Sequence, residues 1–228
     1  MPCGLYGKLP AKRDFIALSV PGAFLRVFEP WLQAGLAASR LALREAWQPA
    51  YLRAPIWRFW LGTEVAGAGS LGAIMPSVDG IGRYFPLTLV GQAGSGGVPR
   101  PPELDPCDGW FEGAESLLLS VLTDETGFEA VAAALAACPD PPAPPEPLSG
   151  GGVVRLRGGA LVAPAAAGLG EALGALRTPG AARLHAGMTY WWTPGGEGFA
   201  PRVASCRGMP DPAFVTGMLT GDFDDLAA

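Results

Sequence analysis

A chain of 228 residues with 49% hydrophobic content is long enough to bury one generous core or two small ones. Charged residues make up only 16% and the formal net charge is −5, so there is no basic field to neutralise phosphates, which argues against nucleic acid and anionic membrane surfaces as partners. No apolar run approaches the roughly 18 residues of a membrane span, the opening MPCGLYGKLP has no signal-peptide core, and a cytoplasmic location without membrane insertion is expected.

The first segment, Cys3 to Lys8, reads as a short strand entering a loop from Leu9 to Asp14. From Pro21 to about Trp47 the residues Phe24, Val27, Phe28, Trp31, Leu32 and Leu36 recur at three- and four-residue steps. That spacing predicts a long helix with a break or kink at Pro30. Strands are predicted at Ile56 to Leu61, Leu71 to Met75 and Phe85 to Val90. The first two are joined by a Gly-rich loop, and Pro76 to Tyr84 forms a loop or single turn before the third. A helix capped by Asp108 should bury Trp110, Ala114, Leu117, Leu118 and Val121, and an Ala-rich helix should follow from Phe128 to Ala137. The run PDPPAPPEPLSGGG, residues 139–152, has the composition of a surface linker. Beyond it come a strand at Val153 to Leu156, a helix near Leu169 to Leu176, strands at Met188 to Trp192 and Arg202 to Cys206, and a closing helix from Asp211. This order predicts an α/β fold, a three-layer α/β/α sandwich around a mixed, largely antiparallel sheet. In that reading residues 1–138 form the core and 153–228 pack on the same domain.

Catalytic chemistry is sparse. The one histidine, His185, is the only imidazole base available to a serine hydrolase, and the nearest nucleophile-elbow sequences, around Ser70 and Ser95, lack the first glycine. Gly4 to Leu9 has a superficial phosphate-loop look, but its glycines are too close together and no Ser or Thr follows Lys8. Gly80-Ile-Gly82 begins a dinucleotide fingerprint and then places Phe85 where a third glycine belongs. The acidic residues are scattered, so no metal is expected, and the Asp222, Asp224 and Asp225 group reads as solvated charge. The cysteines Cys3, Cys107, Cys138 and Cys206 contain no C-x-x-C pair and are expected to be buried or idle thiols. No cofactor is expected.

Two polar clusters interrupt apolar surroundings: Lys8, Lys12, Arg13 and Asp14 near the N-terminus, and Ser77, Asp79 and Arg83 between two predicted strands. Charged side chains at strand ends either pair internally to fix the loops or point outward to a partner, with catalysis as a third role. Seven tryptophans include the adjacent Trp191 and Trp192, which must face opposite sides of a sheet and should be buried under different helices.

The stretch Gly4-Leu-Tyr-Gly-Lys-Leu-Pro10 with Asp14-Phe15-Ile16 resembles the N-terminal signature of the type VI secretion-associated TagF family, and Met75 to Leu87 is similar to its second signature. Thr189-Tyr-Trp-Trp192, Ser205 and Gly208 to Phe214 resemble the family's closing pattern. The chain departs from the family at Arg13, where a glycine is usual, and at Gly80, where a basic or polar residue is usual. If that glycine serves a positive φ, Arg13 strains the turn by about 1 kcal/mol or more, or the turn differs here. The resemblance implies a cytoplasmic, post-translational negative regulator of type VI secretion. Such a protein would be a binder of the system's forkhead-associated-domain protein, not an enzyme. The matching polar positions are Lys8, Asp14, Ser77, Asp79 and Arg83. The alternatives are a hydrolase or phosphate-handling enzyme using His185 or the Lys8, Asp14, Asp79 and Arg83 set, and a structural subunit of the secretion machine.

Overall fold

The structure, a computed structural model, describes residues 3–92, 98–122, 127–142, 153–157, 161–165, 168, 170, 172–173, 176 and 184–224. Its centre is a sheet of seven strands: β1 (Cys3–Gly7), β2 (Ile16–Leu18), β3 (Trp57–Leu61), β4 (Ser70–Met75), β5 (Leu87–Gln92), β8 (Met188–Thr193) and β9 (Arg202–Arg207). They lie in the order β2-β1-β5-β4-β3-β8-β9. Every pairing is antiparallel, so the expected mixed sheet is corrected: long crossovers that would make strands parallel are replaced by hairpins and returns. The short β6 (Val154–Arg155) and β7 (Leu161–Val162) pair with each other outside this sheet.

Strand alternation divides the core in two. Leu5, Trp60, Leu71, Ala73, Leu87, Leu89 and Tyr190 face helices α4 (Asp108–Ser120) and α5 (Phe128–Ala136). Tyr6, Trp57, Phe59, Ile74, Val90 and Trp191 face α1 (Gly22–Leu43), α2 (Trp47–Arg53) and α6 (Phe214–Thr220). Trp191 is fully buried on the second face, while Trp192 meets Phe111 of α4 across the first at 4.9 Å between centroids. The two tryptophans are therefore divided between opposite helices, as their adjacency requires.

Helix α1 forms because its buried stripe of Phe24, Phe28, Trp31, Leu32, Gly35 and Leu36 repeats at helical spacing. It runs through Pro30 without the break that was one of the two expectations there. Pro30 is exposed, so the carbonyl it leaves unbonded faces water, and the apolar stripe on both sides outweighs a cost of about 3 kcal/mol. The break comes later, at Arg44, whose φ is +49°, and a 3-10 turn at Arg44–Ala46 leads into α2. The Gly-rich connection between β3 and β4 contains a further short helix, α3 (Thr63–Ala66). Residues 143–152 of the expected linker and half of the expected helix near 169–176 lie outside the described residues.

The α1–α6 crossing depends on Gly35. A Cβ there would sit 2.3 Å from Val215 Cγ2 and 3.0 Å from the Pro212 carbonyl. Gly35→Ala should therefore cost about 1–3 kcal/mol by overpacking despite its better helix propensity, read as a lower urea midpoint with unchanged slope.

Candidate functional site

The loops that follow β1 and β4 meet at one end of the sheet, and four of the five expected site residues come together there. Ser77 Oγ donates to the Lys8 carbonyl at 2.8 Å, joining the two loops through a buried hydroxyl. Lys8 Nζ donates to Asp79 Oδ2 at 2.6 Å, with the lysine side chain 5% exposed and the aspartate side chain fully enclosed. Arg83 Nε reaches the same oxygen at 2.6 Å, and its guanidinium also donates to the Arg13 carbonyl of the first loop. The other carboxylate oxygen, Oδ1, accepts from the amides of Ile81 and Arg83 at 3.1 and 2.8 Å. Burial opposes ionisation of Asp79. The bond from Lys8, then those from the Arg83 amide and guanidinium and the Ile81 amide, outweigh it and hold its carboxyl well below the usual carboxylate range. Asp14 stands outside this network, exposed at the loop surface with Lys12, Arg13 and Phe15.

One glycine from each signature is required by the close approach of the two loops at this junction. Gly7 has φ +131°, and a Cβ there would lie 2.0 Å from the Pro86 carbonyl, so only glycine lets β1 close against the second signature. Gly80 donates its amide to the Lys12 carbonyl at 3.0 Å, and a Cβ on it would sit 2.9 Å from the Pro10 carbonyl. The absence of a side chain at this position thus accompanies close approach of the first loop. Arg13 is not among the positive-φ residues, so its turn avoids the left-handed strain that a glycine-dependent turn would impose.

Sequence reading missed several residues that complete the site. The Tyr51 hydroxyl donates to the Ser77 carbonyl at 2.8 Å and accepts from the Ser77 amide at 2.9 Å, anchoring the second loop to α2. Nothing local marks Tyr51, because its role appears only once α2 turns back over the sheet. Phe15 packs edge-on against Phe85 at 4.7 Å and lies 5.1 Å below the Lys8 ammonium. A second network was also missed: Arg58 on β3, 8% exposed, holds Glu115 through Nε at 2.6 Å and Nη2 at 3.1 Å, and Asp108 through Nη1 at 2.9 Å. A charge between Trp57 and Phe59 in the middle of an apolar strand was the available signal. It also corrects Asp108, which starts α4 but spends its carboxylate on Arg58, while Cys107 occupies the cap position in a left-handed conformation.

The alternative catalytic candidates do not join the cluster. His185 is half-buried and its Nε2 lies 3.1 Å from Glu103 Oε2, the other oxygen of which accepts from the Tyr190 hydroxyl at 2.8 Å. Ser70 is buried inside β4 and donates to the Ala68 carbonyl, whereas Ser95 lies outside the described residues. Among the described residues no group of three or more His, Cys, Asp or Glu side chains is placed to hold a metal, and no helix is long and apolar enough to cross a membrane. A shallow apolar crevice lies next to the junction, between α1, α2, α6 and the sheet, with Pro76 and Pro86 at its border. Its lining, from Leu32 to Trp57 and Met218, carries no charged group. Chemically, the junction is an ion-pair network of one carboxylate shared by two cations, with the Lys8 ammonium and Asp79 carboxylate occupied by each other and one positive charge in excess, carried by the half-exposed Arg83.

The chain is similar over 96% of its length to the crystal structure of PA0076 from Pseudomonas aeruginosa PAO1, at 33% identity and a TM-score of 0.76, covering 94% of that chain. No curated protein matches. The profile of the TagF N-terminal domain, type VI secretion system-associated, matches residues 4–138, which spans both signatures and every residue of the ion-pair network. With more than half of its length matched by that profile, the chain belongs to the type VI secretion-associated TagF family.

Proposed function

We infer that the protein is a cytoplasmic negative regulator of type VI secretion that works by binding the system's forkhead-associated-domain protein, and that it is not an enzyme. The observation that carries this reading is the division of labour at the junction. Lys8, Ser77, Asp79 and Arg83 are spent on one another and on backbone groups, while Lys12, Asp14, Phe15 and Ile81 stand on the outside of the loops they hold. Phe15 and Ile81 are each more than half exposed, an apolar pair flanked by charge on a backbone that cannot collapse around them. The scaffold is a three-layer α/β/α sandwich in which residues 153–228 belong to the same domain as 1–138, a reading supported by helices on both sheet faces and by β8 pairing with β3.

The test uses variants that alter only the outward residues. Asp14→Arg combined with Ile81→Ser should leave the unfolding free energy from urea titration within about 0.5 kcal/mol of the parent, since neither side chain is buried. It should reduce co-purification of the forkhead-associated-domain protein at least tenfold and raise secretion in cells overproducing the protein. Full capture and full repression by this variant would refute the assignment of the surface, and turnover of a substrate by the purified protein would refute the binder reading.

A further inference from the structure

The last strand of the sheet has one side open. β9 ends the order β2-β1-β5-β4-β3-β8-β9 and pairs with β8 in an unbroken register from Met188↔Arg207 to Thr193↔Arg202. The Gly208 amide extends that ladder by donating to the Gly187 carbonyl at 2.8 Å. Hydrogen-bonded pairs alternate along an antiparallel ladder, so this bond fixes which residues face β8. Cys206, Ala204 and Arg202 do, while Val203, Ser205 and Arg207 turn their amides and carbonyls outward. The far side of β8 agrees: the Gly62 amide donates to the Met188 carbonyl, which turns Met188, Tyr190 and Trp192 toward β3. Among the described residues no strand lies beyond β9 to meet its outward groups.

Sheet edges are usually blunted by shortness, a bulge, Pro or Lys. At the opposite edge β2 is three residues long, but β9 has six in regular pairing, without a bulge or a proline. Val203 is 80% exposed, the most exposed large apolar side chain among the described residues, and it shares a sheet face with the half-buried Trp192 opposite it.

The sequence of the strand matches itself. In a two-fold antiparallel pairing of this edge, one register engages all three outward residues: Ser205 opposite Ser205, and Val203 opposite Arg207 on either side. Ala204 then stands opposite Cys206, and Arg202 opposite Gly208. Arg202 and Arg207 are an odd number of positions apart and lie on opposite faces, so no cation meets another across this register. Each Arg207 instead lays its aliphatic stem beside the exposed Val203 of the other copy.

We propose that β9 pairs in this register with the β9 of a second copy, joining two seven-stranded sheets into one continuous sheet. The pairing uses the edge opposite β2 and consumes none of the signature residues. One strand from each copy makes a small interface, so the dimer is concentration-dependent.

Sedimentation of the wild-type protein from micromolar to millimolar concentration should show the mass rising from that of one chain toward that of two. Amide exchange at Val203, Ser205 and Arg207 should be fast in the dilute sample and slow in the concentrated one, whereas Ala204 and Cys206, bonded to β8, are slow in both. Val203→Arg places a cation opposite Arg207 of the second copy and should weaken association about tenfold or more. Adding Arg207→Glu should restore it, because each new arginine then faces a glutamate. A monomer at every concentration, outward amides already slow in the dilute sample, or association that neither variant alters would overturn the proposal. The assay contains no secretion partner, so its outcome is separate from that of the regulatory reading.

Discussion

Asp79→Asn is expected to destabilise the protein more than any other substitution in the polar cluster. The amide keeps the shape of the carboxylate and an oxygen for the Ile81 and Arg83 amides, but removes the charge facing Lys8 Nζ at 2.6 Å. Leaving an ammonium as enclosed as that of Lys8 without its counter-charge costs about 3–5 kcal/mol. Lys8→Met should cost less, because Asp79 keeps Arg83 and two backbone amides as partners. The same network sets a pH dependence. The folded carboxyl of Asp79 is held below its ordinary value of 3.8, so the unfolded chain binds the proton first as the medium is acidified. The stabilisation is complete above about pH 5 and is lost progressively as pH falls toward the depressed folded value. Urea midpoints measured from pH 7 down to pH 3 should fall for the parent, and this acid limb should be shallower in Asp79→Asn. An equally steep limb in both would show that other carboxylates carry it.

Trp191→Ala should cost about 3–5 kcal/mol, the usual range for emptying a fully enclosed tryptophan site. The ring is surrounded by Trp31 at 4.8 Å, Phe59 at 5.2 Å, Phe214 at 6.1 Å and Phe28 at 6.5 Å between centroids, so it joins α1, α6 and β3 at once. Its indole N–H has no partner among the described residues, so a smaller aromatic ring forfeits no hydrogen bond. Trp191→Phe should therefore be far milder than Trp191→Ala, a contrast that calorimetry resolves. Similar losses for the two would mean that the indole is held by an interaction other than packing.

The fold was legible wherever burial is periodic in the chain. Phe24 to Leu36 declared α1, and the runs around Phe59, Ala73, Leu89 and Tyr190 declared the central strands, because one-sided or two-sided burial repeats at the period of each element. The three-residue β2 escaped notice, since Ile16 is its only buried residue and its partners on β1 are fixed by the turn before it. Pro30 and Asp108 misled for a common reason: a local preference was overridden by what the tertiary structure puts beside it, water in the first case and Arg58 in the second. The closing helix begins at Phe214 and not at Asp211, because Asp211 Oδ1 accepts from the Ala213 amide and spends the intervening residues on a turn.

The site divides along the same line. That Lys8, Ser77, Asp79 and Arg83 belong together could be read from two ordered motifs, but that they consume one another could not, since ion pairing across 71 residues is a property of the sheet order. Asp14 shares their motif and not their network, because the turn at Arg13 carries it outward.

The proposed partner-binding surface, two signature loops held rigid from beneath, can be checked by amide hydrogen exchange with and without the forkhead-associated-domain protein. Slow exchange is expected at the Arg83 and Ile81 amides in the free protein, where Asp79 holds them, and new protection on binding at residues 11–16 and 80–82. Protection appearing instead along β9 or the outer face of α1, with the signature loops unchanged, would contradict it.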